Sequence, residues 1–268
     1  MDWLQALQRL RSDGLPGVLV TVTEVRGHAP REAGAKMLVG AGSTWGSIGG
    51  GNLEATAIDR ARALLAAGTA GPESLVFPLN DHAANEHGRQ CCGGVVSVLL
   101  EPFPARPTVA VFGLGHVGYE LARILSRLPV RLVLVDSRAG QLAAARLADV
   151  LDGPADVVVR HSPVPESIVG ELPPGSHVFI MTHDHAEDFL LCDAVLRRGG
   201  LGSVGLIGSA AKWSRFQRNL RAEGYDDAAI GSISCPIGLP DLTGKDPAVI
   251  AVSVAANLLL TLAKQRAG

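Results

Sequence analysis

The stretch TVAVFGLGHVG, residues 108–118, decides the fold of the second half of the chain. It begins with a short, mostly apolar, β-prone run, which predicts a buried strand, and a GxGxxG loop follows. In such a loop the first glycine permits the turn, the second admits a phosphate, and the third packs helix on strand. The helix N-terminus adds free N–H groups and a positive dipole. We expect Gly113, Gly115, His116 and Gly118 to bind a phosphate or nucleotide; the alternative is a ligand-free turn.

The residues after this loop continue to alternate between strand and helix patterns. The run RLVLV ends at Asp136, near the ~20-residue spacing of a carboxylate that accepts from a ribose. Short apolar strands between helices predict a parallel, doubly wound sheet. The pattern leaves open whether the ligand is NAD(P), another nucleotide or another phosphate. Further strands are predicted at 157–159, 177–181 and 202–206, and helices at 184–197, 209–222 and 247–264.

The first hundred residues follow a different pattern, that of a small α+β domain. Three prolines in EPFPARP, residues 101–107, predict a stiff connection and a domain boundary. The fold class is therefore α/β, with a small α+β domain at 1–103 followed by a Rossmann-like doubly wound parallel-sheet domain at 104–268. Helices are predicted at 3–12 and 52–67, and strands at 18–25, 34–39, 43–48, 75–79 and 95–100.

Composition excludes several classes of protein. The chain has 268 residues and 47% hydrophobic residues, enough for a sizeable core, and a net charge of −2 argues against nucleic acid or membrane lipid as a partner. Four cysteines are too few for a disulfide scaffold and indicate reduced thiols. The N-terminus reads as an amphipathic helix rather than a signal peptide. No uninterrupted apolar run approaches ~18 residues, so we expect no membrane span and a cytoplasmic protein.

Polar residues follow a predicted strand at Thr182-His183-Asp184-His185. Ligands gather at the carboxyl ends of strands in an open parallel sheet, so we expect His183 and Asp184 to line a ligand site. Alternatively, Asp184 caps the next helix and the histidines are surface residues. A His-x-His pair alone is not a metal signature, and no metal site made of protein ligands alone is expected.

The helix after residue 208 is basic along one side. Ser209 is a possible N-cap, and Lys212 lies within one turn of the helix N-terminus, where it could help bind an anion. The alternative is a solvated basic face, which suits Arg218 and Arg221 equally well.

Three consecutive glycines, Gly49, Gly50 and Gly51, precede a helix that carries Glu54 in its first turn. Such a start can bind an anion, because backbone N–H groups converge there. Ordering three glycines costs backbone entropy, so an approaching ligand or partner chain explains them better than a flexible link does.

Adjacent thiols occur in GRQCCGGVV, residues 88–96. A disulfide between neighbours requires a distorted backbone, and a four-ligand zinc site lacks a second pair of cysteines at suitable spacing. If the backbone is extended, Cys91 and Cys92 face opposite sides.

In order, these segments resemble the XdhC/CoxI family of xanthine dehydrogenase accessory proteins. The resemblance implies a cytoplasmic, dimeric chaperone that binds molybdenum cofactor, protects its sulfurated form, and meets a cysteine desulfurase and a xanthine dehydrogenase-type molybdoenzyme. Cys92 matches the family's CGG and would contact molybdenum or its exchangeable sulfur. The matching pieces are RGHAPREAGAKMLV, GSIGGGNLE, CGG, VFGLGHVG, VDSR, THDHAED, GLIGSAAKWSRF and SCPIGL.

One departure from the family and three alternative functions remain. The last helix, PAVIAVSVAANLL, carries no acidic residue, which puts any role for a carboxylate there in doubt. The sequence does not decide whether the chain is an enzyme, although an accessory role fits better. An NAD(P)-dependent oxidoreductase and a nucleotidyltransferase acting on the same cofactor are the alternatives, and a pure interaction module is a third.

Overall fold

The computed structural model describes residues 1–68, 71–79 and 94–267. The chain divides into two compact units, Met1–Arg106 and Pro107–Gly268. The division falls inside the proline-rich stretch at 101–107. A strand runs through the first part of that stretch to Phe103, so the predicted connection is shorter than its composition indicates.

The first unit is a five-stranded antiparallel sheet with order β3-β2-β1-β5-β4. Alternate residues of a strand face opposite sides, and in β2 Met37 and Val39 join one core while Leu38 joins another. Helix α2 buries its apolar stripe against the first core, and α1 packs on the second. The elements are α1 (Trp3–Ser12), β1 (Gly17–Arg26), β2 (Lys36–Val39), β3 (Thr44–Gly46), α2 (Gly51–Ala66), β4 (Glu73–Pro78) and β5 (Val95–Phe103).

The second unit is a six-stranded parallel sheet with order β11-β10-β9-β6-β7-β8. Both faces are covered: in β6, Val109 and Val111 join one core, while Ala110 and Phe112 join the other. The predicted Rossmann-like, doubly wound sheet is confirmed. The elements are β6 (Thr108–Phe112), α3 (His116–Leu125), β7 (Arg131–Asp136), α4 (Ala148–Leu151), β8 (Asp156–His161), α5 (Glu166–Val169), β9 (His177–Ile180), α6 (His185–Arg198), β10 (Ser203–Leu206), α7 (Ala210–Ala222), α8 (Asp227–Gly231), β11 (Ile233–Ser234) and α9 (Pro247–Ala267).

Helix α9 bears on the expectation that the chain has no membrane span. Counting uninterrupted apolar residues indicated no span, yet Pro247–Gln265 is long and apolar enough by length and composition to cross one. Part of this apolar character has a structural reason, because one side of α9 belongs to the core that also contains Leu121 and Leu125 of α3. Three large apolar side chains of α9 remain exposed: Val252, Leu259 and Leu260.

Candidate functional site

The glycine loop lies at the point where the order of the strands reverses. The chain passes from β6 to β7 and β8 on one side, then returns to β9, β10 and β11 on the other. Connections from neighbouring strands therefore diverge between β6 and β9, which opens a crevice at their carboxyl ends. Gly113 follows β6 and Gly115 is the N-cap of α3, which receives no side-chain hydrogen bond at its cap. The N-terminus of α3 thus opens into this crevice.

The three loop glycines differ in what a side chain would meet. At Gly113, where φ is +97°, a Cβ would lie 2.4 Å from the carbonyl oxygen of Met181. At Gly118 it would lie 1.9 Å from the carbonyl oxygen of Gly113. At Gly115 it would have no heavy atom within 4 Å. The first and third glycines are therefore required by the fold, whereas the second leaves space at the start of the helix.

Asp136, at the end of β7, is buried and holds the glycine loop. Its Oδ2 accepts a 2.7 Å hydrogen bond from the backbone N–H of Leu114 and a 3.0 Å bond from Nη2 of Arg138. Its Oδ1 accepts from the backbone N–H and Nε of Arg138 at 2.8 and 2.9 Å. Burial opposes ionisation, yet these hydrogen bonds, led by that from Arg138, hold the pKa of Asp136 below its usual value.

The crevice forms a cavity of about 480 Å³. Its lining carries two guanidinium groups and two imidazoles, and no described lining residue is an aspartate or glutamate. The Arg146 guanidinium lies 4.4 Å from the centre of the Tyr119 ring and donates to the carbonyl oxygen of Gln141. The described lining residues are Gly115, His116, Val117, Arg138, Gln141, Arg146, Met181, Thr182, His183, Ile207 and Pro247. Such a lining favours an anionic ligand.

The predicted residues after β9 and β10 take different positions. His183 lines the cavity, whereas the Asp184 side chain caps α6 by accepting from the backbone N–H of Ala186. Ser209 likewise caps α7, accepting from the backbone N–H of Lys212. Asp184 therefore does what the alternative interpretation expected, and the Ser209 cap is confirmed.

Lys212 is buried in an ion pair with Asp188. Its Nζ donates to Asp188 Oδ2 and to the carbonyl oxygen of Ile207, the latter at 2.9 Å. The other oxygen of Asp188 accepts from the backbone N–H and hydroxyl of Thr182 at 3.0 and 2.8 Å. Lys212 thus joins the starts of α6 and α7 to the ends of β9 and β10, and its ammonium group is already neutralised within the fold.

The glycines at the start of α2 surround an anion that the chain itself supplies. Glu54 Oε2 accepts from the hydroxyl of Ser47 at 2.6 Å and from the backbone N–H groups of Ile48 and Gly50 at 3.0 and 3.1 Å. Burial raises the pKa of Glu54, but the hydrogen bonds outweigh it and the pKa lies below its usual value. A Cβ on Gly49 would lie 2.9 Å from Pro30 Cβ. Close packing within the unit explains Gly49 without an external partner.

Cys91 and Cys92 lie outside the described residues. Of the thiols that are described, Cys192 is buried and Cys235 is half-buried. Burial raises the pKa of both, that of Cys235 to about 11, so each is protonated at neutral pH. Within residues 1–68, 71–79 and 94–265, no cluster of three or more His, Cys, Asp and Glu side chains could hold a metal ion.

Sequence reasoning missed Arg138 and Arg146 as cavity residues. Arg138 stands two residues after Asp136, and this spacing was a usable signal. Arg146 lies beyond the short 3₁₀ helix Ala139–Leu142 and had no such signal. A second cavity of about 1260 Å³ in the same unit is lined by the loop from Cys235 to Lys245.

Comparisons with known proteins match both units. A model of the XdhC Rossmann domain matches residues 109–258, and one of the XdhC and CoxI family matches residues 10–76. The uncharacterized protein YqeB of Escherichia coli (strain K12) is 26% identical over 253 residues, covering 94% of this chain and 44% of that protein. The chain therefore spans less than half the length of this curated relative.

Two solved structures were also compared. A crystal structure described as a xanthine dehydrogenase from Bacillus halodurans covers 98% of this chain and 96% of that chain, at 20% identity and a TM-score of 0.50. This likeness shows the fold. A structure of TcdA (CsdL) covers 60% of this chain and 88% of that chain, at 15% identity and a TM-score of 0.43. Since the Rossmann-domain model alone matches more than half of the residues and the second model matches the unit before it, the chain belongs to the XdhC and CoxI family.

Proposed function

We propose that this chain is an accessory protein that binds molybdenum cofactor, protects its sulfurated form and assists its insertion into a xanthine dehydrogenase-type molybdoenzyme. The observation that carries the proposal is its membership of the XdhC and CoxI family. The cavity at the glycine loop lies in the unit that the XdhC Rossmann-domain model matches, and we assign the ligand to this cavity.

The residues of the cavity fit the chemistry of that cofactor, which carries a phosphate, a pterin and a metal held by a dithiolene. The space at Gly115 and the N-terminus of α3 suit a phosphate. A cavity of about 480 Å³ is of ordinary size for a small-molecule site, and its arginines and histidines favour an anion. When bound, the cofactor supplies the metal and sulfur that the target enzyme needs; the chain's part is to bind and shield it.

We assign to Cys92 the contact with molybdenum or with its exchangeable sulfur. Thiolate rather than thiol binds metals, and the described thiols of Cys192 and Cys235 are protonated at neutral pH. Cys92 stands beside two glycines in the segment that resembles the family's CGG, and Cys91 is outside that match.

The proposed partners follow from the same role. The target enzyme would receive the cofactor, and a cysteine desulfurase would supply its exchangeable sulfur. A second copy of the chain would complete a homodimer, and the complex would work in the cytoplasm.

Reconstitution of a cofactor-free enzyme of this class tests the proposal. With limiting cofactor and a sulfur source, adding the wild-type chain should raise the recovered hydroxylase activity several-fold. The Cys92→Ala variant should lose this gain, while the neighbouring Cys91→Ala variant should keep it. Equal recovery with and without the wild-type chain would contradict an insertion role, and equal loss in both variants would contradict the assignment of Cys92.

An NAD(P)-dependent oxidoreductase is the second candidate, favoured by the strand order and by the glycine loop after β6. It requires turnover of a nicotinamide, which an accessory protein does not. Incubating the chain with nicotinamide nucleotides and candidate substrates while following absorbance of the reduced form separates the two functions.

A further inference from the structure

The ribose end of a Rossmann site is normally marked by a carboxylate at the end of the second strand, which accepts from the ribose hydroxyls. Asp136 holds that position at the end of β7, but only 2% of its surface is exposed. A carboxylate offers about four acceptor sites. All are occupied in Asp136, because each oxygen accepts two hydrogen bonds, three of the four coming from Arg138 and one from Leu114. A ribose diol therefore finds no acceptor there.

Arg138 takes the place of the carboxylate in the wall of the cavity. Its side chain is 34% exposed, and its Nη1 makes no hydrogen bond with any residue that the structure describes. Ion pairing with Asp136 fixes the plane of the guanidinium, so the remaining N–H groups are held in one orientation. The group that meets the ligand at this end is a preorganised donor, and its positive charge is partly offset by the buried, ionised Asp136.

The rest of the cavity wall does not cancel this charge. Arg146 lines the same cavity, and no described lining residue is acidic. The Glu187 carboxyl also interacts with Arg138; it is not part of the described lining, and burial raises its pKa. Gly115 and the start of α3 line the same cavity and suit a first phosphate. One ligand can therefore meet both groups.

We propose that, among nucleotides, Arg138 makes this cavity select those that carry a phosphate at the ribose 2′ position, as NADP does, over those with a free ribose diol. The selectivity concerns the cavity of the proposed function and does not depend on molybdenum.

Calorimetric titration with NADP⁺ and NAD⁺ tests this selectivity, because the two nucleotides differ only in the 2′-phosphate. A charge-assisted hydrogen-bond pair contributes enough to make NADP⁺ bind at least about tenfold more tightly to the wild-type chain. Arg138→Gln should reduce the ratio of the two dissociation constants to less than about threefold. Arg146→Gln removes the same charge from the same cavity and should leave the ratio unchanged, because both nucleotides weaken equally.

Two further measurements keep the outcome decisive. Arg138→Lys retains the charge and should keep part of the ratio even if Arg138→Gln folds poorly. Inorganic phosphate distinguishes a nucleotide site from a general anion site, and should compete only at millimolar concentration. Equal binding of the two nucleotides by the wild type, binding of neither, or an unchanged ratio in Arg138→Gln would overturn the proposal. Binding of molybdenum cofactor is measured in a separate experiment, so the nucleotide selectivity and the proposed function can each fail without the other.

Discussion

At the scale of single residues, carboxylates of this chain occupy the places where ligand groups were expected. Glu54 fills the turn of backbone N–H groups before α2, and Asp136 takes the N–H of Leu114 in the glycine loop. Both are hydrogen-bonded while ionised, and both have a lowered pKa despite burial. These contacts make the stability of the fold depend on pH, because each carboxylate accepts hydrogen bonds in the folded chain and is hydrated in the unfolded chain.

The stability effect of Glu54 should depend on pH. Its folded pKa lies below the usual 4.5, so its contribution is complete above the unfolded pKa and is lost as pH falls through the folded value. Glu54→Gln should lower the free energy of unfolding of the first unit by about 1.5–3 kcal/mol at pH 7. The difference from wild type should shrink as pH falls below the usual pKa of 4.5. Hydrogen exchange of the β1 amides at increasing urea concentration measures this difference in the free energy of unfolding. A difference that does not change with pH would contradict the stabilising role of the ionised Glu54.

The spacing of the three loop glycines predicted their different roles. In the structure Gly113 and Gly118 lie against neighbouring backbone, whereas Gly115 lies beside open space. The partner of Glu54 could not be predicted in the same way. A glycine turn before a helix is equally compatible with an external anion and with a carboxylate one turn later that folds back. Likewise, the sequence places Asp136 at the end of a strand but does not show that Arg138 occupies its oxygens.

At the scale of elements, Lys212 and Asp188 connect α6, α7 and the sheet. Their side chains are 9% and 1% exposed, and the pair also bonds Thr182 and the carbonyl of Ile207. Removing one partner of a buried ion pair leaves the other uncompensated. The sequence placed Lys212 near a helix N-terminus but not its partner, because Asp188 lies on another helix and meets it only after the sheet has formed.

Lys212→Met should therefore destabilise the Rossmann unit by about 3–5 kcal/mol. Arg218→Met is the matched control on the same helix; Arg218 is exposed, and its replacement should change stability by no more than about 0.5 kcal/mol. Scanning calorimetry of the full chain measures both. The double variant Lys212→Met with Asp188→Leu should recover part of the loss, and no recovery would show that the pair's charges are not the cause.

Strand β5 shows why element ends are harder to predict than element types. The prolines after Leu100 predicted a connection, yet β5 continues to Phe103 and Pro102 pairs with Val18 of β1. The ladder with β4 ends at Leu100, so Pro102 has no partner on the β4 side among the described residues. A proline is tolerated there because its missing N–H can face the unpaired side.

At the scale of the whole molecule, the order of patterns predicted the fold class. A mixed pattern of strands and two helices precedes a mainly alternating pattern of strand and helix, and the structure has an antiparallel sheet in the first unit and a parallel sheet in the second. The last helix was harder to interpret, since its length and composition also suit a membrane span. One side of α9 is apolar because it packs in the core that also contains Leu121 and Leu125 of α3. This side is formed by Ala251, Val254, Ala255 and Leu258.

We propose that the cavity at the glycine loop of this family member holds molybdenum cofactor. Equilibrium dialysis against isolated cofactor, with molybdenum and pterin quantified in the protein fraction, tests it most directly. The wild type should retain both in equal amounts. Gly115→Asp places a carboxylate in the open space at the start of α3 and should reduce retention at least tenfold.

Gly170→Asp adds the same charge at an exposed site in the same unit and should bind as the wild type does. Circular dichroism would establish that both variants are folded. We expect loss of molybdenum and pterin in Gly115→Asp alone; equal retention by Gly115→Asp and the wild type, or no retention by the wild type, would show that the cofactor is not held in this cavity.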